Sequence, residues 1–577
     1  MKRWGWIVTV CLLSLWACSP MAESRPEQID HFKERYGIRY QGLVADEAMV
    51  VSAMAYASRV GVQVMQQGGN AVDAAVAVHF ALAVVYPVAG NLGGGGFAVY
   101  RTSEGAVHTL DFRETAPEQS TRDMYLNANG KAEPGWSRNG ALAVGVPGSV
   151  DGMVRLHERF GTQDWASLLA PAITMAEDGF PITALQAERL RDVQDDLLTY
   201  NTHDRIPLLG IGWHSGDTLR QPDLARTLRS IQQYKRAGFY EGENLQRLIR
   251  SVQAAGGLLT PNDLRSYQSV WREPIQFDYG AYRFYSMGLP SSGGILLAQM
   301  LYHLSHFPLA GMGWNTDRYL HLLTEVERLA YADRAKYLGD PDFVAVPVDT
   351  LLSAAYLDER LTLIDTQRAT PSEAIEAGTI EWQESEETTH FSIVDPAGNA
   401  IAITTTLNSR YGSKVMVEGG GYFLNNEMDD FSIQPGVPNQ FGLIGGEANA
   451  IAPGKRMLSS MTPTIIEKEG DLYMVVGSPG GSKIITSVLQ AFLNVTAHGL
   501  SLQEAVNAGR VHHQWQPDIL YFEDTALDSL TMAQLTARGH TLRERSPYGA
   551  VDAIRILPNG QLEGGADFRG DDAAMGW

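Results

Sequence analysis

The hydrophobic pattern of the chain changes at residue 388, and this change constrains the fold more than any other feature of the sequence. Before it, from about residue 150 to 380, apolar residues recur at helical spacing, as in 164–179 and 222–255. After it, HFSIV, a DPAGN turn and AIAITTTL form a strand–turn–strand signal, which MTPTIIEK, EGD and LYMVVGSPGG repeat. Helical patterns return over 484–498 and 502–508. Strands with helical segments on both sides predict a sandwich of layers.

A segment rich in alanine and valine, residues 71–85, is apolar nearly all round and therefore predicts a buried helix. The preceding Gly68-Gly69-Asn70 would end one helix and cap the next. Four glycines from Gly93 to Gly96 then lead into a predicted strand over 97–101. They satisfy the G-x-G-x-x-A dinucleotide fingerprint, but a strand follows where that motif needs a helix, so nucleotide binding is not expected.

The size of the chain and its charge set outer limits on the fold and the partners. With 577 residues the chain exceeds the size of one growing hydrophobic core, so we expect two lobes or one large layered domain. The formal net charge of −21 disfavours nucleic acid as a partner, because phosphates need lysine and arginine. The same charge favours solubility without specifying a ligand.

The N-terminus has the pattern of an export signal. Lys2 and Arg3 precede an apolar run over 7–17, which is too short to span a bilayer. Residues 18 and 11 are the two cysteines of the chain, so an exported mature protein would have no internal disulfide. We expect residues 1–18 to be the signal and the polar residues 19–40 to be a tether.

The segment Leu15-Trp16-Ala17-Cys18 resembles a bacterial lipobox, in which the cysteine becomes the lipidated first residue. Trp16 departs from the small or aliphatic residue that is usual there. We therefore expect a periplasmic protein attached to the membrane by lipid alone through Cys18, with an ordinary cleaved secretory signal as the alternative.

Several common catalytic motifs are missing from the sequence. It contains no G-x-S-x-G elbow, no H-E-x-x-H and no C-x-x-C. His512 and His513 are adjacent, and neighbouring positions on a strand point to opposite faces, so they are not expected to share one ion. The sequence predicts neither a metal nor another cofactor.

Thr388 and Thr389 lie between an acidic run and the start of a predicted strand. Threonine is ordinary in strands because its branched Cβ fits a pleated surface. One chemistry, however, needs only a threonine at a strand start. If the bond before Thr388 is cut, this residue carries both a hydroxyl and a free α-amine, whose ordinary pKa of about 7.7–8.0 suits a general base.

Nine motifs in the same order resemble those of the γ-glutamyltranspeptidase (glutathione hydrolase) family of N-terminal-nucleophile hydrolases, from about residue 40 to the C-terminus. They are GGNAVDAAVAVHFAL, AGNLGGGGF, LDFRETAP, PSSGG, YADRAKYLGDPDF, TTHFSIVD, LNNEMDDFS, KRMLSSMTPT and GSPGGS. The resemblance implies an α+β fold, a four-layer αββα sandwich. It also implies a precursor that cuts itself between Glu387 and Thr388. The large subunit, 41–387, and the small subunit, 388–577, would remain together as a heterodimer.

The resemblance assigns the reaction to four residues. Thr388 matches the nucleophile that takes the γ-glutamyl group, and its freed amine is the expected base. Thr406 matches the residue that hydrogen-bonds near the nucleophile, and a returning strand would bring it there. Gly480 and Gly481 match the pair whose backbone N–H groups form the oxyanion hole.

Six further residues match those that bind the substrate. The α-carboxylate is expected to bind Arg113, Ser459 and Ser460, because a guanidinium fork and two hydroxyls are suitable donors. The α-ammonium is expected to bind Glu427, Asp430 and Asn408.

The segment 435–450 resembles the lid loop of the family, with one departure. Phe441 stands where a lid tyrosine can hydrogen-bond the asparagine that matches Asn408. We expect a lid held by packing instead of by that bond, and weaker gating of the pocket.

The resemblance implies an enzyme that cleaves the γ-glutamyl amide of glutathione and other γ-glutamyl compounds, and transfers the acyl group to water, amino acids or dipeptides. A cephalosporin-type acylase and a poly-γ-glutamate depolymerase are alternatives with the same fold. The residues expected to read both α-substituents favour free γ-glutamyl ends, and the lid disfavours a long polymer. An unprocessed surface protein with a binding role is an alternative of another class, which the matched Thr388 and Thr406 disfavour.

Overall fold

The computed structural model describes residues 42–203, 205–210, 212–375 and 388–577. The predicted signal with Cys18, the tether and Glu387 lie outside these residues. Within the described ranges, no helix has both the length and the apolar character needed to cross a membrane.

Two antiparallel sheets of seven strands each form the centre of the molecule. The first sheet, in spatial order, contains Ala573–Gly576, Met49–Ser52, Thr389–Val394, Ala400–Thr406, Gly95–Arg101, Val107–Asp111 and Val270–Arg272. The second sheet contains Leu43–Ala45, Leu562–Ala566, Asp552–Ile556, Asp471–Gly477, Thr464–Lys468, Tyr282–Ser286 and Ile275–Tyr279. Two small sheets lie apart, Val511–His512 with Leu520–Glu523 and Leu542–Arg545, and Phe180–Pro181 with Thr218–Leu219.

Helices cover the outer face of each large sheet. Those that share a core with the first sheet are Ala55–Gln66, Ala71–Val85, Ser149–Phe160, Trp165–Asp178, Ala184–Asp192, Gln194–Tyr200, Pro222–Tyr234, Ala237–Tyr240, Gly242–Ala254 and Pro261–Ser266. Those on the second sheet are Gly293–Leu304, Asp317–Tyr337, Val348–Leu351, Ala354–Leu361, Ile484–Thr496, Leu502–Asn507 and Ser529–Ala537. The short helix Pro134–Arg138 lies beside the turn Glu427–Asp430.

Alternation along the strands separates the layers. On Ala400–Thr406, Ile401 and Ile403 belong to the core under the first helical layer, whereas Ala400 and Ala402 face the second sheet. The space between the sheets is filled by small and branched side chains from both. Helix, sheet, sheet and helix thus form the four-layer αββα sandwich, and the predicted α+β fold is confirmed.

The predicted buried helix is Ala71–Val85, and all of its residues are buried. Asn70 caps it by accepting from the N–H groups of Val72 and Asp73, and Asp73 accepts from the Asn70 N–H in return. The Ala71 N–H donates to Asp395 at 2.9 Å, in the turn that joins the two central strands of the first sheet. A local capping signal therefore also anchors the hairpin that begins at Thr388.

The amphipathic stretch 222–255 forms three helices instead of one. Lys235 and Gly242 have positive φ values of 50° and 59°, which a right-handed helix does not continue through. The stretches 164–179 and 484–498 each contain one helix, Trp165–Asp178 and Ile484–Thr496.

Candidate active site

Thr388 immediately precedes the strand Thr389–Val394 at the centre of the first sheet. The neighbouring strand pairs Thr405 with Thr389, so Thr406 comes to lie beside Thr388. Their hydroxyl oxygens are 3.5 Å apart, and the Thr406 hydroxyl also accepts from the Asn408 N–H at 2.7 Å. Both threonines are buried, with 4% and 2% of their surface exposed.

His390 is the nearest histidine along the chain, but its contacts make it structural. Its ring nitrogens hydrogen-bond with the hydroxyls of Thr404 at 2.8 Å and Ser392 at 3.0 Å. Burial lowers the pKa of His390 to about 3, so the ring is neutral at physiological pH. The α-amine of Thr388 is therefore a better candidate than this imidazole for the base that would act on the Thr388 hydroxyl.

The pocket in front of Thr388 is small, with about 20 Å³ of space for solvent. It brings together every predicted reaction and binding residue except Gly480, which adjoins the lining residue Gly481. The lining residues are Arg113, Arg334, Thr388, Thr406, Asn408, Glu427, Asp430, Phe441, Leu443, Ser459, Ser460, Met461, Gly481 and Ile484. These positions come from both sides of residue 388, so the pocket exists only in the folded chain.

Gly480 and Gly481 join the strand Asp471–Gly477 to the helix Ile484–Thr496. Their φ values are 126° and 55°, which glycine adopts readily and other residues rarely do. A Cβ on Gly481 would also lie 2.3 Å from the Phe441 ring. Because the first N–H groups of a helix lack intrahelical acceptors, this turn lies at the positive end of a helix dipole, and its Gly481 lines the pocket.

Arg113 binds two acidic side chains of the short turn Glu427–Asp430. One guanidinium nitrogen pairs with Glu427, and another lies 2.5 Å from Asp430 Oδ2. Glu114 Oε2 is 3.7 Å from the same guanidinium. Burial raises the pKa of Glu114 to about 8 against the opposing effect of Arg113, and burial also raises the pKa of Glu427 and of Asp430. The positive charge of Arg113 is therefore surrounded by three carboxyl groups, each of which has a raised pKa.

The remaining predicted binding residues offer donors and an acceptor. Asn408 has a φ of 75°, and its side-chain amide donates to the Asn426 carbonyl at 3.0 Å, which leaves Oδ1 as its acceptor atom. The Ser459 hydroxyl accepts from the Met461 N–H at 3.1 Å, so its proton is free to donate.

Phe441, the residue of the predicted lid, is 4% exposed, and its ring packs on Gly481. Its N–H donates to Asn439 Oδ1 at 2.9 Å, and its carbonyl accepts from Gln514 Nε2 at 3.0 Å. Asn439 in turn donates to Asp430 at 3.0 Å. Packing and hydrogen bonds of its backbone thus hold the segment around Phe441 in place, and one of its contacts is with the pocket residue Asp430.

Arg334 lines the pocket but was not predicted as a site residue, although it lies in the family motif YADRAKYLGDPDF. Its helix, Asp317–Tyr337, is buried along most of its length, and a charged residue on such a helix is a signal of function or pairing. The apolar lining residues Leu443, Met461 and Ile484 were also missed, and they carry no chemical signal in the sequence.

The potential metal ligands in the described residues lie outside this pocket. His321, Glu325 and His540 form one group, but His321 and His540 hydrogen-bond each other directly at 2.8 Å. His512 and His513 contact different partners, Thr486 and Asp518, as expected for neighbours on opposite faces.

Two sheets between helical layers, with a buried threonine at the start of a central strand, define the class of the N-terminal-nucleophile hydrolases. The model of the gamma-glutamyltranspeptidase family matches residues 57–577. A glutathione hydrolase proenzyme of Escherichia coli (strain K12) is 42% identical over 548 residues, which cover 94% of each chain. The chain therefore belongs to the gamma-glutamyltranspeptidase family, and the predicted resemblance is confirmed.

Solved structures agree with this class. The cephalosporin acylase of Bacillus halodurans superposes with a TM-score of 0.82 and 28% identity, covering 94% of this chain and 98% of its own. The gamma-glutamyltranspeptidase of Helicobacter pylori has a TM-score of 0.55 and 40% identity, covering 59% of this chain and 97% of its own.

Proposed function

We propose that the protein is an autoprocessed γ-glutamyltransferase and glutathione hydrolase in which Thr388 is the nucleophile. The observation that carries this assignment is the Thr388 hydroxyl, which lies beside Thr406 in a pocket with charged groups of both signs. Such a pocket suits a zwitterionic amino-acid end, and membership of the family supports the reaction.

Maturation begins with attack of the Thr388 hydroxyl on the carbonyl carbon of Glu387. The peptide C–N bond breaks as the ester forms, and the proton moves from the hydroxyl to the departing amine. Water then hydrolyses the ester, which leaves a carboxylate on Glu387 and a free amine and hydroxyl on Thr388. The products are the proposed subunits 41–387 and 388–577.

Catalysis repeats the same chemistry on the γ-glutamyl amide. The free α-amine of Thr388 takes the hydroxyl proton as the oxygen attacks the γ-carbonyl carbon, and the N–H groups of Gly480 and Gly481 stabilise the oxyanion. The C–N bond breaks, and the proton passes to the leaving amine. Water or an acceptor amine then attacks the ester, which releases glutamate or a new γ-glutamyl amide and restores the hydroxyl.

Recognition of the γ-glutamyl end uses the two sets of charged and polar groups. Arg113, Ser459 and Ser460 donate to the α-carboxylate, and Glu427, Asp430 and Asn408 accept from the α-ammonium. Because the bound ammonium replaces part of the charge that Arg113 supplies to the acids, Arg113 becomes able to share its donors with the substrate carboxylate. A substrate that lacks either α-group would leave a buried charge unpaired.

The cephalosporin acylase alternative shares the fold, and the Bacillus halodurans neighbour supports it as the second candidate. The buried Arg113–Asp430 pair favours a γ-glutamyl α-amino acid over a dicarboxylic acyl group that lacks the ammonium. We further propose export through residues 1–18, lipidation at Cys18 in the periplasm, and amino acids or dipeptides as acceptors.

The decisive experiment combines N-terminal sequencing of the smaller fragment with a γ-glutamyl anilide assay. We expect a fragment that begins TTHFSI, activity in the wild type, and no processing or activity in Thr388→Ala. Thr388→Ser is the matched control, because it keeps the hydroxyl, and it should retain slow processing. A different N-terminus, or activity in Thr388→Ala, would overturn the proposal, and a preference for glutaryl over γ-glutamyl amides would favour the acylase.

A further inference from the structure

Arg334 is a buried guanidinium whose partners, among the described residues, are hydroxyl groups. It lies in the last turns of the helix Asp317–Tyr337 and is 4% exposed. Its Nε donates to the Ser292 hydroxyl at 3.1 Å, and its Nη2 donates to the Ser460 hydroxyl at 3.2 Å. No direct ion pair joins it to a carboxylate of the described residues, although Asp430 acts on it at longer range and raises its pKa. A buried charge without a directly paired counter-ion is costly, so this site favours an anion.

Arg113 and Arg334 differ in how far their positive charge is already paired with carboxyl groups of the protein. Arg113 already pairs with Glu427 and Asp430, and these carboxylates raise its pKa. Burial lowers the pKa of Arg334 to about 10, so its guanidinium remains positive at neutral pH. Both side chains line the same pocket. An anion that enters the pocket therefore meets one arginine that is paired directly with two acidic side chains and one on which Asp430 acts only at longer range.

The loop that contacts Arg334 also fixes the two serines of the pocket. The Ser292 hydroxyl and N–H both donate to the Ser459 carbonyl, at 2.7 and 2.8 Å, and the Ser459 N–H donates to the Pro290 carbonyl at 2.8 Å. The Ser291 hydroxyl donates to the Met461 carbonyl at 2.6 Å. The motif PSSGG thus forms a scaffold for the backbone at 459–461.

A glycine is required where this scaffold meets the serine segment. A Cβ on Gly293 would lie 2.2 Å from the Thr462 hydroxyl oxygen, which is well inside van der Waals contact. The close approach brings the start of the helix Gly293–Leu304 against the backbone that carries Ser459 and Ser460. The PSSGG motif therefore supports the pocket indirectly: none of its residues lines the pocket, but they hold the backbone that carries Ser459 and Ser460.

The hydrogen bond from Arg334 determines what the Ser460 hydroxyl can do. A hydroxyl has one proton, and since its oxygen accepts from Arg334, that proton is free to point into the pocket. Accepting from a cation also strengthens the hydroxyl as a donor. Ser459 is arranged in the same way, with its oxygen accepting from the Met461 N–H. Two hydroxyl protons then converge on one anion.

We propose that Arg334 is a positioning and specificity-determining residue for the α-carboxylate of the γ-glutamyl donor. It orients the Ser460 hydroxyl as a donor to that carboxylate. It also supplies a second positive charge, because the charge of Arg113 is already engaged by Glu427 and Asp430. Ser292 fixes Arg334 in turn. This inference rests on the proposed function, because it takes the γ-glutamyl end as the ligand of the pocket.

The test compares variants on two donor substrates, L-γ-glutamyl anilide and the analogue in which the α-carboxylate is an α-carboxamide. We expect Arg334→Gln to lower kcat/KM for the carboxylate substrate by about 10- to 100-fold, chiefly through KM, since a hydrogen bond to a charged group is lost. The same variant should change kcat/KM for the carboxamide by less than about threefold. Arg318→Gln, at an exposed arginine of the same helix, is the matched control and should match the wild type.

Two further variants keep the test informative if Arg334→Gln fails to mature. Ser292→Ala removes the Nε contact and the hydroxyl's bond to the Ser459 carbonyl, to which the Ser292 N–H still donates. It should give a smaller loss with the same preference for the carboxylate substrate. Arg334→Lys should lower kcat/KM for the carboxylate substrate less in a Ser460→Ala background than in the wild type, because part of its effect passes through Ser460.

The outcomes separate this inference from the proposed function. Equal losses on both substrates, or no loss, would overturn the role of Arg334. If the wild type itself does not prefer the carboxylate substrate, the proposed γ-glutamyl specificity fails, and this inference fails with it. A wild-type preference that Arg334→Gln leaves intact overturns this inference alone.

Discussion

Burial changes the chemistry of single residues around Thr388. The threonine hydroxyl lies against Thr406 in a pocket of small free volume, and burial raises the pKa of the neighbouring carboxyl groups of Glu114 and Glu427. The same residue types on the surface would have ordinary properties.

Thr406→Val keeps the shape of the side chain and removes the hydroxyl beside the proposed nucleophile. It also leaves the Asn408 N–H without its acceptor at 2.7 Å. We expect both the rate of self-cleavage and kcat to fall at least tenfold, since the loss of a buried hydrogen bond costs about 1–3 kcal/mol. Gel analysis of the precursor and anilide kinetics measure the two rates. Thr406→Ser should recover much of both, and wild-type rates in Thr406→Val would contradict the assignment.

Glu114→Gln should change how thermal stability depends on pH. The folded-state pKa of about 8 lies above the ordinary value of 4.5, so the neutral carboxyl contributes stability below pH 4.5 that is lost as the pH rises to 8. Each pH unit in this window costs the wild type at most about 1.4 kcal/mol, whereas glutamine has no such cost.

We therefore expect the wild-type Tm to fall relative to that of Glu114→Gln by roughly 3 °C between pH 5 and pH 8. Scanning calorimetry at a single scan rate measures the difference. Glu118→Gln, at an exposed position nearby, is the matched control. A Tm difference that is constant, or that rises with pH, would show that Glu114 is ionised when buried.

Three elements meet at the pocket: the hairpin after Thr388, the Gly480-Gly481 turn and the lid around Phe441. The predicted lid contacts the glycine turn through the Phe441 ring, which packs on Gly481, and the acidic turn Glu427–Asp430 through Asn439, which donates to Asp430. This segment is therefore hydrogen-bonded to Asp430, one of the groups proposed to bind the α-ammonium. The geometry of such an element is tested best by adding a contact that this chain lacks.

Phe441→Tyr adds a hydroxyl at the place where the family's lid tyrosine can reach the residue matching Asn408. A new hydrogen bond should hold the lid closed longer and so change the ratio of transfer to hydrolysis, by about two- to tenfold. Parallel assays with and without an acceptor dipeptide measure the ratio. Gln514→Leu, which removes the bond to the Phe441 carbonyl, should change it in the opposite direction. Unchanged hydrolysis and transfer rates in Phe441→Tyr would refute the weaker gating.

Each of the two large sheets contains strands from both sides of the proposed cleavage point. In the first sheet, Met49–Ser52 lies between Ala573–Gly576 and Thr389–Val394. In the second, Leu43–Ala45 pairs with Leu562–Ala566, and Tyr282–Ser286 pairs with Thr464–Lys468. Neither proposed subunit contains a complete sheet, so neither can bury its own apolar surface.

The cleaved subunits should therefore remain one particle until the whole molecule unfolds. We expect the two fragments to coelute in size-exclusion chromatography, and to unfold in urea in a single transition whose midpoint rises with protein concentration. The uncleaved Thr388→Ala chain is the control, and its midpoint should not depend on concentration. Folded separate fragments at low urea would contradict the interleaved sheets.

Local patterns determined the elements that could be predicted. The helix Ala71–Val85, its Asn70 cap and the hairpin after Thr388 follow from residue spacing and from side chains that bond within a few positions. The break at Lys235 was not predicted, because an amphipathic pattern continues through it. The candidate site was predicted as a set of residues through the family motifs, and its contacts were not.

The sequence by itself determined the layered class, the family and the threonine at the start of a strand, since these depend on short-range spacing and on motifs that are contiguous. Only the tertiary structure decided that Arg113 is paired with two acids more than 300 positions away, and that Arg334 is left with hydroxyl partners. The physical reason is that burial and counter-ions set the charge that an arginine offers a ligand, and both arise from contacts between distant segments.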